Sequence, residues 1–149
     1  MTDAVVVDAS VAVKWLFTEE HSAKADALFR VQTSGSKPRG LVAPLLIRSE
    51  ITNAIHKRVR RGEIELGPAD HLLTRFLTFP VELVSLDAIF SSALALAAQY
   101  DLGATYDAQY LALALAIDAE FWTADVKLVR AVPEVWVRWI GDHPATAPA

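Results

Sequence analysis

Apolar runs of two kinds alternate along this chain. Short runs rich in β-branched residues read as buried strands, and longer stretches with apolar positions three and four apart read as helices. Residues 4–7, Ala-Val-Val-Val, lie between Asp3 and Asp8 and suit a buried central strand. Ser10 stands where it can cap a helix over residues 11–17. Ala23, Ala27, Leu28 and Val31 follow at helical spacing within residues 21–31, and the Gly, Ser and Pro content of residues 34–40 marks a loop. Residues 41–43 form a second candidate strand. Pro44 then leads into a helix over residues 45–61, where Ile47, Ile51 and Ile55 make one stripe and Leu46, Ser49, Asn53 and Lys57 another, before Gly62 stops it.

The second half repeats the alternation. A helix runs from Gly67-Pro68 to about Leu77, a strand over residues 81–86, and an Ala/Leu-rich helix from Asp87 that stops near Gly103. The run Tyr110-Leu-Ala-Leu-Ala-Leu-Ala-Ile117 alternates large and small side chains, but Ala is apolar and a strong helix former, so a buried helix over residues 106–118 is expected. Residues 120–123 form a strand, 125–130 a helical turn or two, and 135–139 a last strand after Pro133. This order predicts an α/β domain with a central, mainly parallel sheet covered on both faces. Residues 1–141 are read as one domain and 142–149, His-Pro rich in small residues behind Asp142, as a loose tail.

Composition narrows the chemistry. A chain of 149 residues, 53% hydrophobic, can fill one core. Its apolar runs are too short to span a bilayer, and with no basic leader a cytoplasmic location is expected, without a membrane partner. The absence of cysteine removes thiolate nucleophiles and Cys-ligated metals, and the four scattered histidines show no zinc spacing. A net charge of −4 argues against a generally basic, nucleic-acid-gripping surface. Any polyanion must be held locally or through a metal.

Four acids stand where elements change: Asp8 after the first strand, Glu50 on the early helix, Asp107 at the start of the buried helix and Asp125 after the strand at 120–123. Strand ends of an open α/β sheet converge on one crevice, where separated carboxylates can surround a hard cation. Taken singly, Asp8, Asp107 and Asp125 read equally as helix caps or dipole partners, and Glu50 as a helix surface acid.

The segments Val7-Asp8-Ala9-Ser10, Glu50-Ile-Thr-Asn53, Thr105-Tyr-Asp107-Ala-Gln-Tyr110-Leu-Ala-Leu-Ala114 and Thr123-Ala-Asp125-Val-Lys-Leu128 occur in the order found in PIN-domain proteins, and the chain resembles most the VapC toxin ribonucleases. The resemblance runs from residue 4 to about residue 139. It implies a three-layer α/β/α domain, a Mg²⁺- or Mn²⁺-dependent endoribonuclease, and a cognate VapB-type antitoxin as inhibitor. Asp8, Glu50, Asp107 and Asp125 would form the acidic metal and catalytic site, with Asp8 and Asp125 as direct ligands and Ser10, Asn53 and Thr123 as supporting groups. It also implies homodimerisation, with Trp15, Leu16 and Phe17 as candidate contacts. An antitoxin arginine could pair with the acids. A nuclease outside toxin–antitoxin biology and a non-catalytic binding module are the alternatives.

The run His56-Lys57-Arg58-Val59-Arg60-Arg61 ends the helix that carries Glu50. Lys57, Arg58, Arg60 and Arg61 are candidate RNA contacts, or else cations that complement the helix C-terminus. Trp122 reads as core, whereas Trp15 and Trp139 are candidates for partner contact. Asp87, Asp101, Asp118 and Glu120 read as caps, turns or surface charges.

Overall fold

A computed structural model describes residues 2–146 of the chain. The apolar run at the start becomes β1 (Val5–Val7), buried at every position. After it come α1 (Ala9–Ala12), α2 (Ser22–Thr33), β2 (Leu41–Pro44), α3 (Leu46–Arg60), α4 (Leu66–Phe76), β3 (Val81–Val84) and α5 (Asp87–Gln99). The chain ends with α6 (Tyr106–Ala116), β4 (Glu120–Thr123), α7 (Val126–Ala131) and β5 (Val137–Trp139). The strands lie in the order β3-β2-β1-β4-β5, and every pair is parallel. Helices cover both faces, giving the three-layer α/β/α architecture that the alternation predicts.

The topology places a crevice. From β1 the chain winds outward through β2 and β3, then returns to β4 on the opposite side of β1. The strand order therefore reverses between β1 and β4, and at such a point the carboxyl ends of neighbouring strands open onto a cleft. The register Val7↔Trp122 puts the residue after β1 level with Thr123.

Packing explains why α3 and α6 sit beside that cleft. Ile47, Ile51 and Ile55 of α3 are buried, each contributing about 1.5–3 kcal/mol by leaving water. The large residues of α6 between Tyr110 and Leu113 are wholly enclosed, so the alternating run is a core helix rather than a strand. Asp118 (φ 52°) and Asp101 (φ 51°) turn the chain through left-handed conformations after α6 and α5, as turn residues do. Glu120 pairs with Arg138 of β5 at 2.6 Å.

Several boundaries differ from the sequence reading. The expected helix over residues 11–17 is one short α-helix followed by a 3₁₀ turn over Val13–Trp15, and its cap is Asp8 rather than Ser10. Asp8 has the extended backbone of a cap, and its carboxylate accepts from the Val11 N–H. The strand expected to reach Leu86 ends at Val84, and the last strand starts at Val137. Trp15 is no partner-facing ring: its indole N–H donates to the Ala25 carbonyl, and its ring meets Phe29 and Phe79 edge-on. Trp139 is half-buried, edge-on to His21, with Gly141 beside its ring. Of the expected tail, His143 stands edge-on to Trp122, and residues 147–149 lie outside the described residues.

Candidate active site

Asp8 is the most enclosed of the four acids, only 6% exposed. Its Oδ1 accepts from the Ser10 hydroxyl at 2.5 Å and the Val11 N–H at 3.2 Å, while Oδ2 accepts from the Thr123 hydroxyl at 2.5 Å. The two hydroxyls are themselves fixed, since Ser10 Oγ accepts from the Ala124 N–H at 2.9 Å and Thr123 Oγ1 from the Asp125 N–H at 3.1 Å. Two neighbouring strand ends are thereby knotted around one carboxylate. A carboxylate offers about two acceptor positions on each oxygen. Oδ1 has both filled, and Oδ2 retains one.

Asp125 repeats this arrangement. It caps α7, with Oδ1 accepting from the Lys127 and Leu128 N–H groups at 2.9 and 3.2 Å. Its second oxygen is not engaged by the cap. For Asp8 and Asp125 the capping role and a role in the cleft are thus compatible, because each holds its helix mainly with one oxygen.

Glu50 and Asp107 enter from α3 and α6. Glu50 Oε1 accepts a hydrogen bond from the Tyr110 hydroxyl, which lies one helical turn after Asp107 on α6. The four acids sense one another through Asp107. Burial pushes Asp8 up to about 7, with the Asp107 charge adding to the rise and the hydrogen bonds from Ser10, Thr123 and Val11 opposing it. Burial also raises Glu50, helped by Asp107 and opposed by the Tyr110 hydrogen bond. Asp107 is raised by burial and then by the Asp125 charge. Burial, followed by the Glu50 charge, holds the Tyr110 phenol far above its ordinary range, so it remains a donor.

No three such side chains among the described residues stand together as a ready cage for an ion. The donor chemistry nevertheless fits Mg²⁺ or Mn²⁺: all four groups are hard oxygens, and the Asp107 charge raises the proton affinity of Asp8 and Glu50. Mg²⁺ in particular keeps several waters and takes only one or two protein carboxylates. Asp8 and Asp125 are the residues that would hold such an ion directly, with Glu50 and Asp107 placed to hold its waters.

The remaining sequence candidates separate into two groups. Ser10, Glu50, Asn53 and Lys57 line one groove of about 230 Å³ together with Ala9, Val13 and Ala54. Thr123 is wholly buried, so it acts on Asp8 and Asp125 rather than on anything in the groove. Arg58 does not face the groove: it is paired with Glu19, lies 3.7 Å from Glu63 and covers the Phe17 ring at 4.0 Å. Arg61 is paired with Glu63 at 2.8 Å. Arg60 is exposed at the end of α3. Tyr110 is the side chain bonded to Glu50 that sequence reasoning passed over. Its signal was available, because a tyrosine at the head of a buried apolar helix needs a partner for its hydroxyl.

The PIN domain family model matches residues 5–132. No curated protein matches the chain. Among solved structures it is similar to PAE2754 from Pyrobaculum aerophilum, with TM-score 0.69 and 18% identity over 93% of this chain and 90% of that one. It is similar to the Mycobacterium tuberculosis VapC20 toxin, described as sarcin-ricin loop cleaving, with TM-score 0.66 and 16% identity over 90% and 98% of the two chains. A toxin-antitoxin complex from Klebsiella pneumoniae gives TM-score 0.60 and 19% identity over 87% of this chain and 92% of that one. Identities this low speak for the fold.

Proposed function

This chain belongs to the PIN domain family, and from that premise we propose that it is a metal-dependent endoribonuclease toxin of the VapC type, held in check by a VapB-type antitoxin. The observation that supports the reading is that the Asp107 charge reaches Asp8 and Glu50 and the Asp125 charge reaches Asp107, with Asp8 and Asp125 following the carboxyl ends of β1 and β4. The likeness to a sarcin-ricin loop cleaving toxin favours RNA as the substrate, and the likeness to a toxin-antitoxin complex favours the inhibitor.

A bound Mg²⁺ or Mn²⁺ supplies a Lewis acid that acidifies water and offsets phosphate charge. Asp8, through the acceptor position left on Oδ2, and Asp125, through the oxygen its cap does not use, would hold it, and Glu50 and Asp107 would hold its waters. Glu50, with its raised proton affinity, accepts the proton of the attacking water. Asn53 and Lys57 steady the substrate backbone along the groove. An antitoxin arginine paired bidentately with the same acids would fill the site. Cleavage takes place in the cytoplasm. Trp15 is core, so homodimerisation would rest on Leu16 and Phe17, both half-buried.

Purified protein incubated with cellular RNA, with and without Mg²⁺ or Mn²⁺ and beside Asp8→Asn, tests the reading. Discrete metal-dependent cuts that disappear in the variant are expected. Folded, inhibitor-free protein that cuts no RNA with either metal overturns it.

A further inference from the structure

We infer that Tyr110 is the positioning residue for Glu50: its phenol holds one carboxylate oxygen so that the other is presented to the cleft. This inference rests on the nuclease reading for what Glu50 does, though the placement of the two side chains does not.

Three observations carry it. The Tyr110 side chain is wholly buried and stacked on Phe121 of β4, with ring centroids 5.8 Å apart and planes at 26°. Its hydroxyl therefore projects from a fixed platform. That hydroxyl donates to Glu50 Oε1 across 60 residues of sequence, joining α6 to α3. Glu50, by contrast, is a long side chain only half-buried on its helix, with several rotamers open to it if nothing holds it.

The other acids show why such a device is needed. The cap of α1 fixes Asp8, and the cap of α7 fixes Asp125. Glu50 is the fifth residue of α3, past the free N–H groups of the first turn, and no cap orients its side chain. The phenol does for Glu50 what the helix termini do for the two aspartates. Tyr110 is also three positions after Asp107, so α6 supplies one acid of the site and aims another. A plain core role would need only the ring, and leucine or phenylalanine would serve there. The hydroxyl is what the core does not require.

Tyr110→Phe keeps the ring and its stacking while removing the donor. We would measure Mn²⁺ affinity by calorimetry and RNA cleavage for the native protein, Tyr110→Phe, Glu50→Gln and the double variant, with melting temperatures for all. The expected result is a roughly tenfold loss in Mn²⁺ affinity or kcat for Tyr110→Phe, KM unchanged, and no further loss when it is added to Glu50→Gln. An effect of equal size in both backgrounds means that the hydroxyl acts through the fold, and it overturns the inference. So does a Tyr110→Phe protein that matches the native one in both assays. Native protein that binds Mn²⁺ but cuts no RNA defeats the nuclease reading alone, since the affinity cycle still decides the role of Tyr110.

Discussion

The Thr123 hydroxyl donates to Asp8 Oδ2 at 2.5 Å and accepts from the Asp125 N–H at 3.1 Å, so one buried oxygen ties together two acids at opposite ends of the sequence. Thr123→Val preserves the β-branched shape and removes both bonds. Losing a buried hydrogen-bonding partner costs about 1–3 kcal/mol. The variant should unfold at lower urea concentration, and the acid limb of its activity should move to higher pH because a contact that lowers the Asp8 pKa is gone. An unchanged urea midpoint would show that the Thr123 hydroxyl contributes nothing to the knot.

Metal-free protein should lose stability as pH rises from about 4 toward 7. Folded Asp8 holds its proton up to about 7, whereas the unfolded chain releases it near the ordinary value of 3.8, so the folded state binds the extra proton across that window. The contribution is fully present below the window and gone above it, and is on the order of 4 kcal/mol at most. Glu50 and Asp107 are raised too and push the same way. Melting curves at intervals between pH 4 and 8 should fall in this direction, flatten in Asp8→Asn, and recover on adding Mg²⁺ at neutral pH. A melting temperature that climbs steadily with pH in metal-free protein would contradict the burial of Asp8.

Adjacent cations on α3 should behave differently. Lys57→Ala should weaken RNA binding and reduce its salt dependence by about 0.7 in slope if the ammonium contacts one phosphate of a single strand. Arg58→Ala should leave RNA affinity near native and destabilise the fold, since it removes one of the two cations paired with Glu19, Lys14 being the other, and the cover over Phe17. Filter binding over a salt series and thermal melts separate the two. The reverse pattern would place the substrate on the other flank of the helix.

Gly141→Ala should be costly through Trp139. A Cβ at this position would stand 2.4 Å from a Trp139 ring atom, and overpacking of this kind costs about 1–3 kcal/mol. Thermal denaturation should register the loss, while surviving folded protein cleaves at the native rate. A melting temperature equal to native would mean that Trp139 moves aside freely.

Strand and helix order were legible in the sequence because hydrophobic period carries that information, and the β-branched run before Asp8 and the isoleucine stripe of α3 fall where they were expected. The cap of the first helix was not, since Ser10 and Asp8 are both good caps at workable spacing, and only the pairing of β1 with β4 turns the serine inward. The acids stood out in the sequence as a pattern of carboxylates at element boundaries. Their linkage through Asp107 did not, because it depends on how α3 and α6 pack. Lys57 and Arg58 are neighbours in sequence yet point to different flanks, a separation of about 100° per residue that a list of basic positions hides. Tyr110 was obscured by the apolar run it heads.

β1 is central, but its carboxyl end is complete only when β4 lies beside it, which joins residue 8 to residues 123–125. During synthesis the first acid emerges early and waits for most of the chain. Until β4 arrives, Asp8 lacks its Thr123 donor and Asp125 has not yet joined the crevice. A half-made polypeptide therefore lacks the assembled crevice, which closes only once most of the chain has left the ribosome.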